Sequence, residues 1–196
     1  MRLLPIFVKL SERRVVVIGA GKVGAQKIAQ VLACGATVRA IAPGAVARVR
    51  GWARRGKIQW LRRKFDVRDV AGADLVIGAT SSPETNRAIF LATRAQGVLC
   101  NIVDDPKHCD FYFPAMLRRG DLQIAVSTGG QSPALAQKVR DELREKYGAE
   151  YGRRLRALGR ARRGILRAQW PSRKRTALLK RMANTAAVEL AARRPA

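Results

Sequence analysis

"RVVVIGAGKVG", residues 14–24, decides the reading of the fold. A short β-branched run, Val15 to Ile18, meets glycines at 19, 21 and 24 and then a stretch of helical periodicity, "KVGAQKIAQVLACG", that closes on Gly35. The spacing is G-x-G-x-x-G between a strand and a helix. Each glycine then has a distinct physical role. Gly19 permits the tight turn, Gly21 lets a pyrophosphate approach the backbone, and Gly24 lets helix and strand pack closely, with the helix N-terminus facing the phosphates. An ordinary strand-to-helix turn uses the same residues, so the context rather than the bare spacing carries the assignment. We expect Gly19, Gly21, Lys22, Val23 and Gly24 to hold a dinucleotide.

Outward from this loop, short strand-like runs alternate with helical stretches: "TVRAIAP", "IQWL", "DLVIGAT" and "VLCNIVD". Such alternation predicts right-handed βαβ units and a Rossmann-type parallel sheet covered by helices, an α/β fold. The pattern changes after Pro114. "PAMLRRGDLQIAVST" reads as two strands around a turn, and "GGQSPALAQKVRDELREKYG" as a helix with Pro133 in its first turn and Ser132 as cap. From Tyr151 onward the chain reads as helical and very basic, with 14 Lys and Arg against the single acid Glu189. We therefore expect three regions: a nucleotide-binding domain over 1–113, a small α+β region over 114–150, and a basic helical region over 151–196.

The end of the second predicted strand lacks a usual feature. An Asp or Glu commonly stands there to bind the adenosine ribose, but Pro43 and Gly44 occupy the place, and we expect both among the cofactor contacts. Arg39, Arg48 and Arg50 suit either a 2′-phosphate or solvated surface, so the residues leave NAD against NADP open. In "GATSSPETN", Thr80 stands at a strand's carboxyl end, where open sheets bind ligands, and joins the expected cofactor contacts; Ser82 is equally a cap for a helix starting at Pro83.

The chain has 196 residues, 39 Lys and Arg against 14 Asp and Glu, and a net charge of +25. Such a field recruits polyanions, whether nucleic acid, an acidic membrane surface or a small polycarboxylate. No apolar run is long enough to span a membrane. Cys34, Cys100 and Cys109 lack metal-like spacing and are odd in number, which favours free thiols and a cytoplasmic setting.

Against this basic background "NIVDDPKHCDFYFP", residues 101–114, gathers Asp104, Asp105 and Asp110 beside the one histidine, His108. A carboxylate at the end of the fifth strand stands on the rim of the glycine loop, where it can serve as a base beside a hydride acceptor; local capping is the alternative. Asp105 should point away from Asp104, because successive extended residues face opposite sides. One His and one Cys adjacent in sequence do not make a stable metal site, and none is expected. In "STGGQSP", Ser127 and Thr128 offer hydroxyls, while Gly129 and Gly130 offer backbone N–H groups suited to carboxylates.

"LPIFVKL", "VIGAGKVGAQK", "GATSSPETN", "NIVDDPKHCDFYFPA" and "AVSTGGQSPALAQKVRDEL" occur in this order. Together they resemble the precorrin-2 dehydrogenase family, the sirohydrochlorin-forming module of sirohaem synthases, over roughly residues 1–145. The resemblance implies NAD-dependent oxidation of precorrin-2, a tetrapyrrole, to sirohydrochlorin, and a homodimer built through the region after the nucleotide-binding domain. It implies Asp104 as the active-site carboxylate, with Asn101, Ser127, Thr128, Gly129 and Gly130 as substrate contacts. Some relatives also insert ferrous iron, which the sequence leaves open. A polycarboxylate substrate accounts for the basic charge. Two rival readings are a nucleic-acid-binding Rossmann protein, supported by "RRLRALGRARRGILRAQWPSRKR" but lacking interleaved aromatics, and an NAD-sensing domain without chemistry, against which Asp104 and "STGGQSP" speak.

Overall fold

The computed structural model describes residues 3–168 and 170–192, with side chains described through residue 186. The ends of the expected basic region, including Arg193 and Arg194, lie outside the described residues, as does Gln169. The chain divides into two compact units, residues 3–112 and residues 113 onward.

The first unit is built from β1 (Arg14–Ile18), α1 (Lys22–Leu32), β2 (Thr37–Ile41), α2 (Ala47–Arg54), β3 (Gln59–Leu61), β4 (Leu75–Gly78), α3 (Pro83–Ala95) and β5 (Leu99–Ile102). All five strands are parallel, in the order β3-β2-β1-β4-β5. Val15 pairs with Val38 on one side and Leu75 on the other. Val15, Val16 and Val17 are successive and all fully buried. That requires cover on both faces of the sheet, which the crossover helices supply, and it explains why the strands read as continuous apolar runs. Order reverses about β1, so the chain leaves β1 and β4 in opposite directions and opens a crevice at their carboxyl ends.

A short 3₁₀ turn at Val67–Val70, not expected from the sequence, closes the β3–β4 connection. Asp66 and Asp69 cap it reciprocally, and the buried Asp69 takes the Arg63 guanidinium at 2.7 Å. Arg63 holds the Asp69 carboxyl below the usual carboxylate range.

The second unit opens with the antiparallel hairpin of β6 (Ala115–Arg119) and β7 (Leu122–Val126), turning at Gly120 with φ +62°. Helix α4 (Pro133–Lys146) packs on it, followed by α5 (Ala149–Arg167) and α6 (Ser172–Ala192). Arg119 donates to the Tyr147 and Arg144 carbonyls at 2.8 and 3.1 Å, satisfying groups at the end of α4 that have no intrahelical partner. Gly152 lets α5 approach the Arg119 carbonyl, where a Cβ would collide. The hairpin and all three helices thus form one unit. Among the described residues no helix is long and apolar enough to cross a membrane.

Candidate active site

A cavity of about 990 Å³ lies in the first unit. Its walls come from the residues just after β1, β2, β4 and β5, represented by Gly19, Pro43, Thr80 and Asp104. All four segments leave the carboxyl ends of parallel strands, which is where a doubly wound sheet binds its ligand.

The glycine loop forms one wall. Gly19 has φ +101°, and a Cβ there would collide with the Ala79 carbonyl. Gly21 has φ −74°, and a Cβ there would meet nothing within 4 Å, because it would project into the cavity. No side chain caps α1 and no acid stands in its first turn. Its first N–H groups are therefore left for an anion. Lys22 and Val23 complete this wall. Gly24 does not line the cavity; a Cβ there would lie 2.8 Å from the Gly19 carbonyl carbon, so its role is close packing of α1 on the loop. Gly44 does not line the cavity either, whereas Ala42 and Pro43 do.

After β4, the two readings of the serine segment separate by residue. Ser82 Oγ accepts from Thr85 N at 3.1 Å and caps α3, with Pro83 following. Thr80 lines the cavity, its hydroxyl donating to Asn86 Oδ1 at 2.8 Å.

The three acids after β5 have three different fates. Asp110 folds back, accepting from Cys100 N at 2.9 Å and lying 3.4 Å from Arg94. Asp105 pairs with His108 Nδ1 at 2.6 Å, and that ring packs against Phe90 at a tilt of 55°, with centroids 4.5 Å apart. Asp104 alone of the three lines the cavity. It does so from left-handed backbone, φ +61°, a conformation Asp tolerates better than most residues but which is uncommon outside glycine. Strand alternation is therefore not what parts Asp104 from Asp105; the chain has already left extended geometry at Asp104.

Asn101, expected to meet substrate, is buried. Its amide donates to the Phe111 carbonyl at 2.8 Å and to Cys109 Sγ at 3.3 Å, so it anchors the returning segment that follows Asp104. Lys27, which the sequence reading did not single out, does not line the cavity but lies near enough to Asp104 for their charges to interact. It is half-buried on α1, four residues after Val23 and hence on the same helix face. Burial lowers its pKa, and the nearby Asp104 charge opposes that shift only in part. The signal available was its place in "VIGAGKVGAQK", one turn after the glycine spacing.

In the second unit, Thr128 Oγ1 donates to Ser132 O at 3.0 Å and accepts from Ser132 N at 3.1 Å. Ser132 Oγ caps α4 by accepting from Leu135 N at 3.2 Å. Gly129 and Gly130 both take positive φ, +63° and +84°. The Gly129 N–H is already given to Ser127 Oγ at 3.2 Å, so of the groups expected to receive carboxylates that one is engaged locally.

A parallel β3-β2-β1-β4-β5 sheet with an open glycine cradle at its carboxyl edge defines a dinucleotide-binding α/β protein. The sequence comparison agrees: the chain belongs to the family described as "Putative NAD(P)-binding", matched over residues 6–115. Residues 119–146 match a second family, "Sirohaem biosynthesis protein central". Among curated relatives, the siroheme synthase of Nitrosococcus oceani is 37% identical over 153 residues, 78% of this chain and 33% of that protein. The siroheme synthase of Methylococcus capsulatus is 38% identical over 152 residues, with 78% and 32% covered. The chain thus spans about a third of the length of these relatives. The solved structure of "SirC, precorrin-2 dehydrogenase" shares the fold with a TM-score of 0.81 at 24% identity, covering 92% of this chain and 89% of that one.

Proposed function

We propose that the protein is an NAD-dependent dehydrogenase that oxidises precorrin-2 to sirohydrochlorin. The observation that carries the reading is the meeting, in one cavity, of a glycine cradle with room for a pyrophosphate and the carboxylate of Asp104, presented from left-handed backbone at the end of β5. Backbone held in a sparsely populated region persists only where its surroundings enforce it, and such residues cluster at functional sites. The names of the relatives, and of the solved protein that shares the fold, supply the substrate.

The residues fit the cofactor. Gly19 and Gly21 with the first turn of α1 would hold the pyrophosphate, Lys22 would neutralise its charge, and Thr80 and Pro43 would flank the two nucleotide halves. When bound, the nicotinamide supplies the hydride acceptor. Asp104 is the proton acceptor in this scheme, and Lys27 supplies a cation beside it. The net charge of +25 draws a polycarboxylate macrocycle toward the protein. Ser127, whose Oγ only accepts from Gly129 N, offers a hydroxyl proton for the macrocycle's carboxylates, whereas Thr128 gives its proton to the Ser132 carbonyl and shapes the turn. A homodimer and a cytoplasmic setting complete the proposal; the resemblance supports the first and three free cysteines the second.

The test is incubation of the pure protein with precorrin-2 and NAD, following NADH and sirohydrochlorin absorbance. Formation of both in equal amounts is expected. NAD binding without either product would leave a nucleotide-binding protein of another function.

A further inference from the structure

The β2–β3 side of the cavity is built without a carboxylate. Rossmann sites that select NAD commonly set an Asp or Glu after β2, where it accepts from the adenosine ribose. In this chain no Asp or Glu occurs from Arg13 to Phe65, which is the whole β1–α1–β2–α2–β3 half. Instead, β2 is followed by Ala42 and Pro43, both lining the cavity. Ala42 O accepts from Trp60 Nε1 at 3.0 Å, which ties the end of β2 to β3. Ile41 pairs with Leu61, so the residues after each strand emerge side by side. Three residues after Leu61, Lys64 lines the same cavity beside Phe65.

The charges around Lys64 are committed elsewhere. Arg63 is bidentate on Asp69, and Asp66 is held by Arg68 at 2.8 Å. Lys64 itself makes no ion pair among the described residues. The arginines near β2 add no further cation to this wall of the cavity. Arg39 donates to Gln59 Oε1 at 2.8 Å, Arg50 donates to the Ala45 carbonyl, and the Arg48 guanidinium lies 4.8 Å from the Trp52 ring centroid. None of the three lines the cavity.

We infer that Lys64 is a binding residue for the 2′-phosphate of a nicotinamide dinucleotide, so that the cavity takes NADP as well as NAD. An ammonium on a phosphate makes a charge-assisted hydrogen bond. A ribose 2′-hydroxyl meets no like charge there, so NAD is not rejected. The inference rests on the cofactor reading above.

The test is calorimetric titration of the full chain with NADP and with NAD, for the natural protein, Lys64→Ala and Lys64→Glu. Lys64 is exposed and on a connection, so both variants should keep the unfolding midpoint. We expect the natural protein to bind NADP as well as NAD. Lys64→Ala should weaken NADP about tenfold while changing NAD by less than about twofold. Lys64→Glu, which restores an acid to this wall, should make NAD the preferred ligand. Binding of NAD without NADP, or equal losses of both in Lys64→Ala, would overturn the inference and leave the cofactor reading standing. Binding of neither nucleotide by the natural protein would overturn both.

Discussion

Gly19 and Gly21 stand two residues apart in one loop, yet a side chain would act differently at each. At Gly19 the backbone has φ +101°, and a Cβ would lie 2.6 Å from the Ala79 carbonyl carbon and 3.2 Å from Thr80 N. Those atoms are backbone at the end of a central strand and cannot swing aside. The strained conformation costs about 1–3 kcal/mol and the overlap about as much again, so Gly19→Ala should lose roughly 2–6 kcal/mol of stability. At Gly21 the backbone suits any residue and the Cβ position is open, so Gly21→Ala should stay within about 1 kcal/mol of the natural protein. Gly21→Asp keeps that tolerance but puts a negative charge where the pyrophosphate should lie. At a separation of about 5 Å and an effective dielectric near 20, each phosphate charge opposes it by about 3 kcal/mol, or more than about a hundredfold in Kd. Urea unfolding followed by circular dichroism measures the stabilities, and calorimetric titration with NAD measures the affinities. The reasoning fails if Gly21→Asp binds NAD as tightly as the natural protein, or if Gly19→Ala is as stable as Gly21→Ala.

Asp104→Asn tolerates the left-handed backbone at φ +61° and should keep its fold and NAD affinity while losing about 10²–10⁴ in kcat. Asp105→Ala, which removes only the His108 pairing, should lose less; the reverse order would show that Asp105 rather than Asp104 is the working carboxylate. The buried Asp69 has a carboxyl pKa lowered chiefly by its bond from Arg63, so its stabilisation is present above the unfolded carboxylate value near 4 and is lost as pH falls through the lower folded value. Asp69→Asn should therefore cost about 1–3 kcal/mol at pH 7, with the gap to the natural protein closing below about pH 4; a gap independent of pH would remove the charge from the explanation. Burial pushes the Cys100 thiol up to about 11, so a disulfide reagent at pH 8 should label half-exposed Cys34 quickly and Cys100 only on unfolding. Rapid labelling of Cys100 in the native protein would contradict its placement in β5.

Local signals were legible in residues 14–24 and in the serine–proline pairs. A valine run before G-x-G-x-x-G identifies a strand, a turn and a helix start within one short segment, and Ser132 before Pro133 reads as a cap because both the cap and its N–H lie within one helical turn. The crevice at the strands' carboxyl ends follows from the same pattern, since parallel strands joined by helices place those ends together. What sequence alone did not decide is which polar groups remain free. Asp104, Asp105 and Asp110 are alike in type and close in sequence. Cys100 N claims Asp110, His108 claims Asp105, and Asn101 is buried by the returning chain at Phe111. Lys27 and Lys64 look like solvated surface in a chain this basic, until folding sets one near Asp104 and the other at the end of a carboxylate-free wall. Periodicity is written in neighbouring residues, but a group's availability depends on competition among donors and acceptors that meet only once the chain has folded.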